Sequence, residues 1–393
     1  MSKITTLKQL DVKNKRTLVR VDFDVPIDEK GNVLDNFRIK NSLETIKYLI
    51  KQKAKIILIS HLGRPASPAG GPEGQKNSKM SLRPIADELG RLLDKKILFS
   101  IDVFGKKVED KIKKMKYGDI LLLENIRFWA EEEKNSSEFA GKLAKLGDVF
   151  VNEAFADSHR EHASIVSVPK FLPSTIGFLF GREIQELDKI LNNPERPLVA
   201  IIGGAKMETK IKVINKFLKI ADKVLIGGAL ANTIFASQGT SMGESKIDKE
   251  SLNDIKKINL KNPKLFLPID LGIWDGKNVI YKDIALLEWY EKALDVGPKT
   301  IHLFNDLVLK SKMVIWNGPL GLTNQKPFDT ASKELIEAID KSNAYAVAGG
   351  GDTIAFINEI GKDKVFDWMS TGGGAMLDYL SNGTLPGIEA LRD

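Results

Sequence analysis

Nine short, β-branched apolar runs set the tightest limit on what this chain can fold into. They are TLVRVDF (17–23), KIILIS (55–60), DILLLEN (119–125), DVFVNEAF (148–155), PLVAIIGG (197–204), DKVLIGG (222–228), KLFLPID (264–270), MVIWNG (313–318) and AYAVAGGG (344–351). Each ends at Gly, Asp, Asn or His and leads into a helical pattern. Continuous rather than alternating apolar runs mark strands buried on both faces. Helices between them, such as 41–52, 82–93 and 330–339, supply the crossovers of a parallel sheet, so the expected class is α/β. Functional groups in such sheets gather beyond the carboxyl ends of the strands, where the polar and glycine-rich residues of this chain sit.

A length of 393 residues exceeds one ordinary core, so two domains are expected. The boundary falls at 181–197, where GREIQELDKILNN reads as one amphipathic helix closed by Pro194 and Pro197. The expected domains are thus 1–180 and 197–377, joined by a helix and hinge over 181–196. The stretch 64–79 is a long Pro/Gly loop. No apolar run reaches the roughly 18 residues of a membrane helix, and the N-terminus lacks a secretory pattern. The absence of cysteine excludes disulfides, thiolate metal sites and cysteine nucleophiles, and suits the cytoplasm. The net charge of +7 is spread along the chain, and small anionic substrates account for it without a nucleic-acid partner.

The arginines are distributed unevenly. Ten of eleven lie at or before Arg196, which places bidentate anion-binding capacity in the first half. There VRVDFDVP puts Asp22 and Asp24 at a strand end, where aspartates also serve as plain turn formers. SHLGRP presents His61 and Arg64, ENIRFW presents Arg127, and NEAFADSHREHAS presents His159, Arg160 and His162. Arg38 follows a turn at Gly31–Asn32. Several such groups at one sheet edge are a candidate anion pocket. His159 and His162 have metal-compatible spacing, but the chain lacks the further ligands a metal would need there.

In the second half, IIGGAKMETKI runs from a strand through Gly-Gly toward a helix. If Lys206 and Lys210 share one helix face about 6 Å apart, at a helix N-terminus, they span adjacent phosphates. GGGDT (349–353) is a second strand–glycine–helix junction, with Asp352 available to Mg²⁺ and Thr353 as the expected helix cap. STGGGA (370–375), WNGPLG (316–321) and IGGALAN (226–232) add further tight glycine turns. Together they argue for a nucleotide site, although neither GxxxxGK[ST] nor GxGxxG occurs.

In this order, from about residue 17 to 391, these motifs resemble those of the phosphoglycerate kinase family, with RPLVAIIGGAK, LPID, DVGPKT and LPGIEAL adding to the match. The resemblance implies two Rossmann-like three-layer domains with parallel sheets joined by an interdomain helix. It assigns the first domain to the phosphoglycerate and the second to ATP or ADP with Mg²⁺. It also has the tail (378–393) packing back on the first domain. The implied reaction is reversible phosphoryl transfer between 1,3-bisphosphoglycerate and ADP, giving 3-phosphoglycerate and ATP, by a cytoplasmic, glycolytic monomer with no nucleic-acid or membrane partner. Carried over by position, Asp22, Phe23, Asp24, Arg38, His61, Leu62, Gly63, Arg64, Arg127 and Arg160 bind the glycerate substrate. Lys206, Lys210, Gly297, Asn324, Gly350, Gly351, Asp352 and Thr353 serve the nucleotide, with Asp352 toward the metal. Arg38, Lys206, Gly351 and Gly373 carry the transfer.

Four places depart from the family pattern. Asp24 replaces a usual Asn, and Glu153, Ala156 and Asp157 alter the usual DAFGTAHR block. Asn324 stands at a usual ribose-binding Glu, and Trp368 replaces a common His. They leave open a non-catalytic nucleotide-binding relative, and a NAD-dependent oxidoreductase is the more distant alternative. The substrate carboxylate is already a nucleophile, so catalysis reduces to alignment, charge neutralisation and exclusion of water by domain closure.

Overall fold

The computed structural model describes residues 4–65 and 79–392, so most of the Pro/Gly loop expected over 64–79 lies outside the described residues. The chain forms two compact units, one running to Gln185 and resuming at Thr384, the other spanning Glu186–Gly383. The division falls inside the helix Phe178–Asn192, which begins three residues earlier than the expected 181. The tail segment also differs from expectation. The helix Gly374–Asn382 belongs to the second unit, and only Thr384 onward goes with the first.

The first unit is built on β1 (Arg16–Arg20), β2 (Lys55–Ile59), β3 (Leu98–Ser100), β4 (Ile120–Leu123), β5 (Val149–Asn152) and β6 (Ser174–Ile176). All pair in parallel, in the order β3-β4-β2-β1-β5-β6. Successive strand residues point to opposite faces, and each face has its own core. Val19, Ile56, Leu58, Ile120, Leu122, Val149 and Val151 pack on one side. Leu18, Ile57, Ile59, Leu121, Leu123 and Phe150 pack on the other. That is why the runs are apolar without alternation. The helix expected over 41–52 is two helices, Phe37–Asn41 and Leu43–Lys51, met at Ser42.

The second unit contributes β7 (Leu198–Ile202), β8 (Lys223–Ile226), β9 (Leu265–Phe266), β10 (Asp270–Trp274), β11 (Val279–Asp283), β12 (Lys292–Val296), β13 (Met313–Asn317), β14 (Tyr345–Gly349) and β15 (Trp368–Met369). A second parallel sheet has the order β15-β14-β13-β7-β8-β9, and β11-β10-β12 form a separate antiparallel sheet. KLFLPID, expected as one strand before a helix, instead contributes only β9 to the parallel sheet and then starts this meander. Pro268 cannot donate to a ladder, and Asp275-Gly276 closes the hairpin, with Asp275 Oδ1 accepting from Asn278 N at 2.6 Å. Trp368, one of the departures, is buried in β15.

Both parallel sheets reverse their winding direction once, between β1 and β5 and between β7 and β13. Crevices for ligands open at the carboxyl ends of strands at such switch points. At the second, Gly203 and Gly318 pass so closely that a Cβ on Gly203 would lie 2.2 Å from the Pro319 carbonyl oxygen. Only glycine fits there.

Candidate active site

Beyond β1 and β5 the first unit holds a lattice of alternating charge. Asp22 is buried and receives Arg38 Nη1 at 2.7 Å. Asp24 Oδ1 accepts from Gly63 N at 2.8 Å, and its Oδ2 lies 3.5 Å from His61 Nε2. His61 Nδ1 stands 3.2 Å from Arg20 Nη2 and 3.4 Å from Asp157 Oδ2. Asp157 also pairs with Arg20 Nη2 at 3.0 Å and with Arg127 Nη2 at 3.6 Å. The structure therefore brings Asp22, Asp24, Arg38, His61 and Arg127 together. It adds two groups the sequence reading missed, Arg20 and Asp157. A charged residue inside the apolar run TLVRVDF was the available signal, since a buried guanidinium requires a carboxylate partner.

The electrostatics follow from this packing. Burial pushes the Asp22 carboxyl upward, against the pull of Arg38 and with the neighbouring Asp157 charge adding to the rise. Burial also opposes ionisation of Asp24, but the His61 contact, the Gly63 N–H and Arg38 hold it down at about 2. Asp157 is fully buried, yet His61, Arg20 and Arg127 hold it well below the usual carboxylate range. Burial together with Arg127 drives His162 down to about 3, so it is neutral. Asp24 and Asp157 thus carry the negative charge among Arg20, Arg38 and Arg127, with Asp22 pushed toward its neutral form. Arg127 is only partly satisfied, because Nη1 donates to Gly63 O at 3.0 Å while buried Nε and Nη2 make no hydrogen bond. Arg160 Nε is likewise buried without an acceptor. Buried guanidinium N–H groups are costly unless something accepts from them, and an anion would.

Other expected members of the site are placed differently. The side chains of Phe23 and Leu62 sit in the apolar core, while Phe23 N donates to Ser60 Oγ at 3.0 Å and Leu62 O accepts from Asn125 Nδ2 at 2.8 Å. Gly63 has φ +62 and Arg64 is exposed. Glu153 does not join the lattice. Its oxygens accept from Leu179 N at 3.2 Å and Phe180 N at 3.3 Å, in the first turn of the helix Phe178–Asn192. Burial raises its pKa to about 8. The folded pKa exceeds the unfolded one, so the contribution is complete below about pH 4.3 and is lost as pH rises toward 8. Glu153→Gln should flatten the fall in urea-unfolding free energy between pH 5 and 8. An unchanged slope would show that Glu153 is ionised in the folded protein.

In the second unit, the helix after β7 begins only at Ile211. Lys206 and Lys210 therefore do not share a helix face, because both lie in the preceding turn. Gly203 and Gly204 keep the chain against Gly318 and delay the helix. The two lysines also differ. Lys206 is exposed, whereas Lys210 is buried and donates to Asn317 Oδ1. Burial lowers the Lys210 pKa to about 7 against the opposing charge of Asp352.

Gly350, with φ +95, is the N-cap of the helix Gly351–Glu359, so Thr353 is not the cap. Thr353 Oγ1 instead accepts from Gly318 N at 2.8 Å, tying the two glycine turns together. Asp352 is exposed in that first helical turn. Gly373 is the N-cap of the helix Gly374–Asn382. A cavity of about 280 Å³ runs from Gly204 and Asp352 past Gly228 to Leu320 and Leu322. Asn324 is exposed two residues beyond Leu322, and Val296 rather than Gly297 lines the wall. Gly297 is required elsewhere, since a Cβ there would lie 2.3 Å from the Asp270 carboxylate. Among the described residues no helix is long and apolar enough to cross a membrane.

The family described as phosphoglycerate kinase matches residues 7–383. A phosphoglycerate kinase of Finegoldia magna is 44% identical over 406 residues, covering 99% of each chain. One from Pelotomaculum thermopropionicum is 40% identical over 398 residues, again covering 99% of each. Among solved structures, phosphoglycerate kinase from Coxiella burnetii superposes with a TM-score of 0.83 at 33% identity over 99% of both chains. That from Pyrococcus horikoshii gives 0.86 at 31% identity, over 99% of this chain and 98% of the other.

Proposed function

The chain belongs to the phosphoglycerate kinase family, and from that premise we propose how its residues transfer a phosphoryl group between 1,3-bisphosphoglycerate and ADP. The enzyme is a phosphotransferase with a carboxyl acceptor, acting in glycolysis. The observation that carries the assignment of roles is the incomplete hydrogen bonding of two arginines beside the charge lattice at the β1/β5 switch point, where buried Nε and Nη2 of Arg127 and buried Nε of the half-buried Arg160 meet no hydrogen-bond acceptor among the described residues. Arg127, Arg160, Arg64 and His61 take the phosphate of the glycerate. Asp22 and Asp24 only accept hydrogen bonds when ionised, so they suit its hydroxyl. Arg38, held by Asp22, faces the carboxylate.

In the direction of ATP consumption, a carboxylate oxygen of 3-phosphoglycerate attacks the γ-phosphorus, and the bond from that phosphorus to the β,γ-bridging oxygen breaks. No proton needs to move and no general base is required. Arg38 neutralises the carboxylate. Lys206 and the N–H groups of Gly351 and Gly373, at the first turn and N-cap of their helices, face the charge on the transferring oxygens. Lys210 and Gly350 border the phosphates, and Thr353 acts through the Gly318 turn. The nucleotide cavity also carries an exposed carboxylate, Asp352, a hard oxygen donor that fits Mg²⁺. When bound, Mg²⁺ would neutralise phosphate charge there. The absence of cysteine accords with the cytoplasm, and on this reading the chain works as a monomer.

An assay of ADP formation from 3-phosphoglycerate and Mg-ATP tests this. Turnover is expected, and its absence would favour a non-catalytic relative. Asn324 provides a finer prediction. A charged acceptor is worth about 1 kcal/mol more than an amide, so Asn324→Glu should lower the KM for ATP about fivefold and leave kcat nearly unchanged. If KM does not move, this exposed turn does not reach the ribose.

A further inference from the structure

We propose that Asp248 is a positioning residue for phosphoryl transfer, holding the turn that carries Lys206 so that its ammonium meets the transferring group. The proposal rests on the reading of Lys206 as the cation that stabilises that group. The turn lies between two well-held stretches. Upstream, Gly203 N donates to Asn317 O and Gly204 N to Pro319 O, each at 3.0 Å. Downstream, the helix Ile211–Ile220 supplies its own hydrogen bonds. Between them lie local bonds, Thr209 Oγ1 to Lys206 O at 3.1 Å and Lys210 N to Met207 O at 2.8 Å. Among the described residues, one hydrogen bond ties the backbone of 205–209 to a segment distant in sequence: Met207 N donates to Asp248 Oδ2 at 3.1 Å.

Asp248 is itself held from two sides. Its N donates to Oγ1 of the buried Thr233 at 3.0 Å, on the helix Gly228–Ser237. Ser251 N donates to its Oδ1 at 3.3 Å and Ser251 Oγ to its Oδ2 at 2.9 Å. The carboxylate is thus fixed in place where the Met207 N–H reaches it, and a carboxylate accepts more strongly than a neutral oxygen. That N–H belongs to the peptide joining Lys206 to Met207. Because a peptide is planar, holding its N–H also orients the Lys206 carbonyl and Cα. The Met207 side chain is fully buried, so the turn is pinned on both sides of Met207 Cα. Lys206 is exposed, and an ammonium on a flexible four-carbon stem is aimed by the backbone it leaves. A displacement of about 1 Å at a catalytic group costs up to about 10²-fold in rate.

A double-mutant cycle tests this, read as kcat for ADP formation from 3-phosphoglycerate and Mg-ATP. In the wild-type background Asp248→Ala should lower kcat roughly tenfold and change either KM by less than about twofold. In the Lys206→Ala background the same substitution should change kcat by less than about twofold, because the group it aims is gone. Asp248→Asn keeps an oxygen for Met207 N and should recover most of the lost rate. Asp248→Ser, whose hydroxyl is too short to reach Met207, repeats the comparison with a polar side chain left at this half-buried position. A merely structural role, including loss of folded protein, lowers kcat by the same factor in both backgrounds. Equal factors would overturn the proposal alone, as would an unchanged kcat in Asp248→Ala beside a slowed Lys206→Ala. An Asp248→Asn enzyme as slow as Asp248→Ala would do the same. If Lys206→Ala itself leaves kcat unchanged, the reading of Lys206 fails and the proposal goes with it.

Discussion

Lys206→Ala should lower kcat on the order of 10²-fold, with a smaller change in either KM. The reason lies in the contrast between the two lysines after β7. Lys210 is buried, committed to Asn317 and held at a pKa of about 7, so it is fixed in place and not fully charged at neutral pH. Lys206 is exposed three residues beyond Gly203, and among the described residues its ammonium makes no ion pair. It is the uncommitted cation at the β7/β13 switch point, able to follow charge as it develops on a transferring phosphoryl group. Its exposure also means that the variant should unfold at the same urea concentration as the wild type. If kcat stays within about a factor of three while the nucleotide KM rises, Lys206 binds ground state and transition state alike, and its proposed role is wrong.

The second large effect is on stability. Asp157→Ala should destabilise the protein by about 3–5 kcal/mol, because it leaves the fully buried Arg20 and the buried Arg127 without their shared counter-charge. Asp157→Asn, which keeps the shape but not the charge, should lose less. The folded pKa of Asp157 is depressed, so its contribution is present above the unfolded value of about 3.9 and is lost as pH falls through the folded pKa. The deficit of the alanine variant should therefore narrow toward low pH. Urea unfolding at pH 7 and at pH 3 measures both points. A loss below about 1 kcal/mol at pH 7 would mean that Arg20 is satisfied by Ser164 Oγ and Val21 O alone.

The departures from the family pattern acquire different meanings once placed. Asp24 turns its oxygens toward the Gly63 N–H and His61. Asp157 pairs the buried arginines, and Glu153 leaves the lattice to accept from the start of the long helix. None of this was legible in EAFADSHR, where the three changes read only as departures from the usual block. A carboxylate introduced near arginines reads the same in sequence whether it blocks an anion site or holds the site together. Only the distances separate the two.

Along the chain, what the sequence determined by itself were the properties set by neighbours a few positions apart. Uninterrupted apolar runs specified strands with a core on each face, and the glycine and charged residues after them marked the strand ends where ligands bind. Even the antiparallel meander left a signal, Asp275-Gly276 between two β-rich segments. What only the tertiary structure decided were properties created by burial and by partners distant in sequence. Arg20 meets Asp157 from 137 positions away, Lys210 is lowered by burial where it donates to Asn317, and Asn232 donates to the Ala293 carbonyl 61 positions on. The strength of a charge or hydrogen bond depends on the dielectric and the partner around it, and the fold sets both by bringing distant segments together.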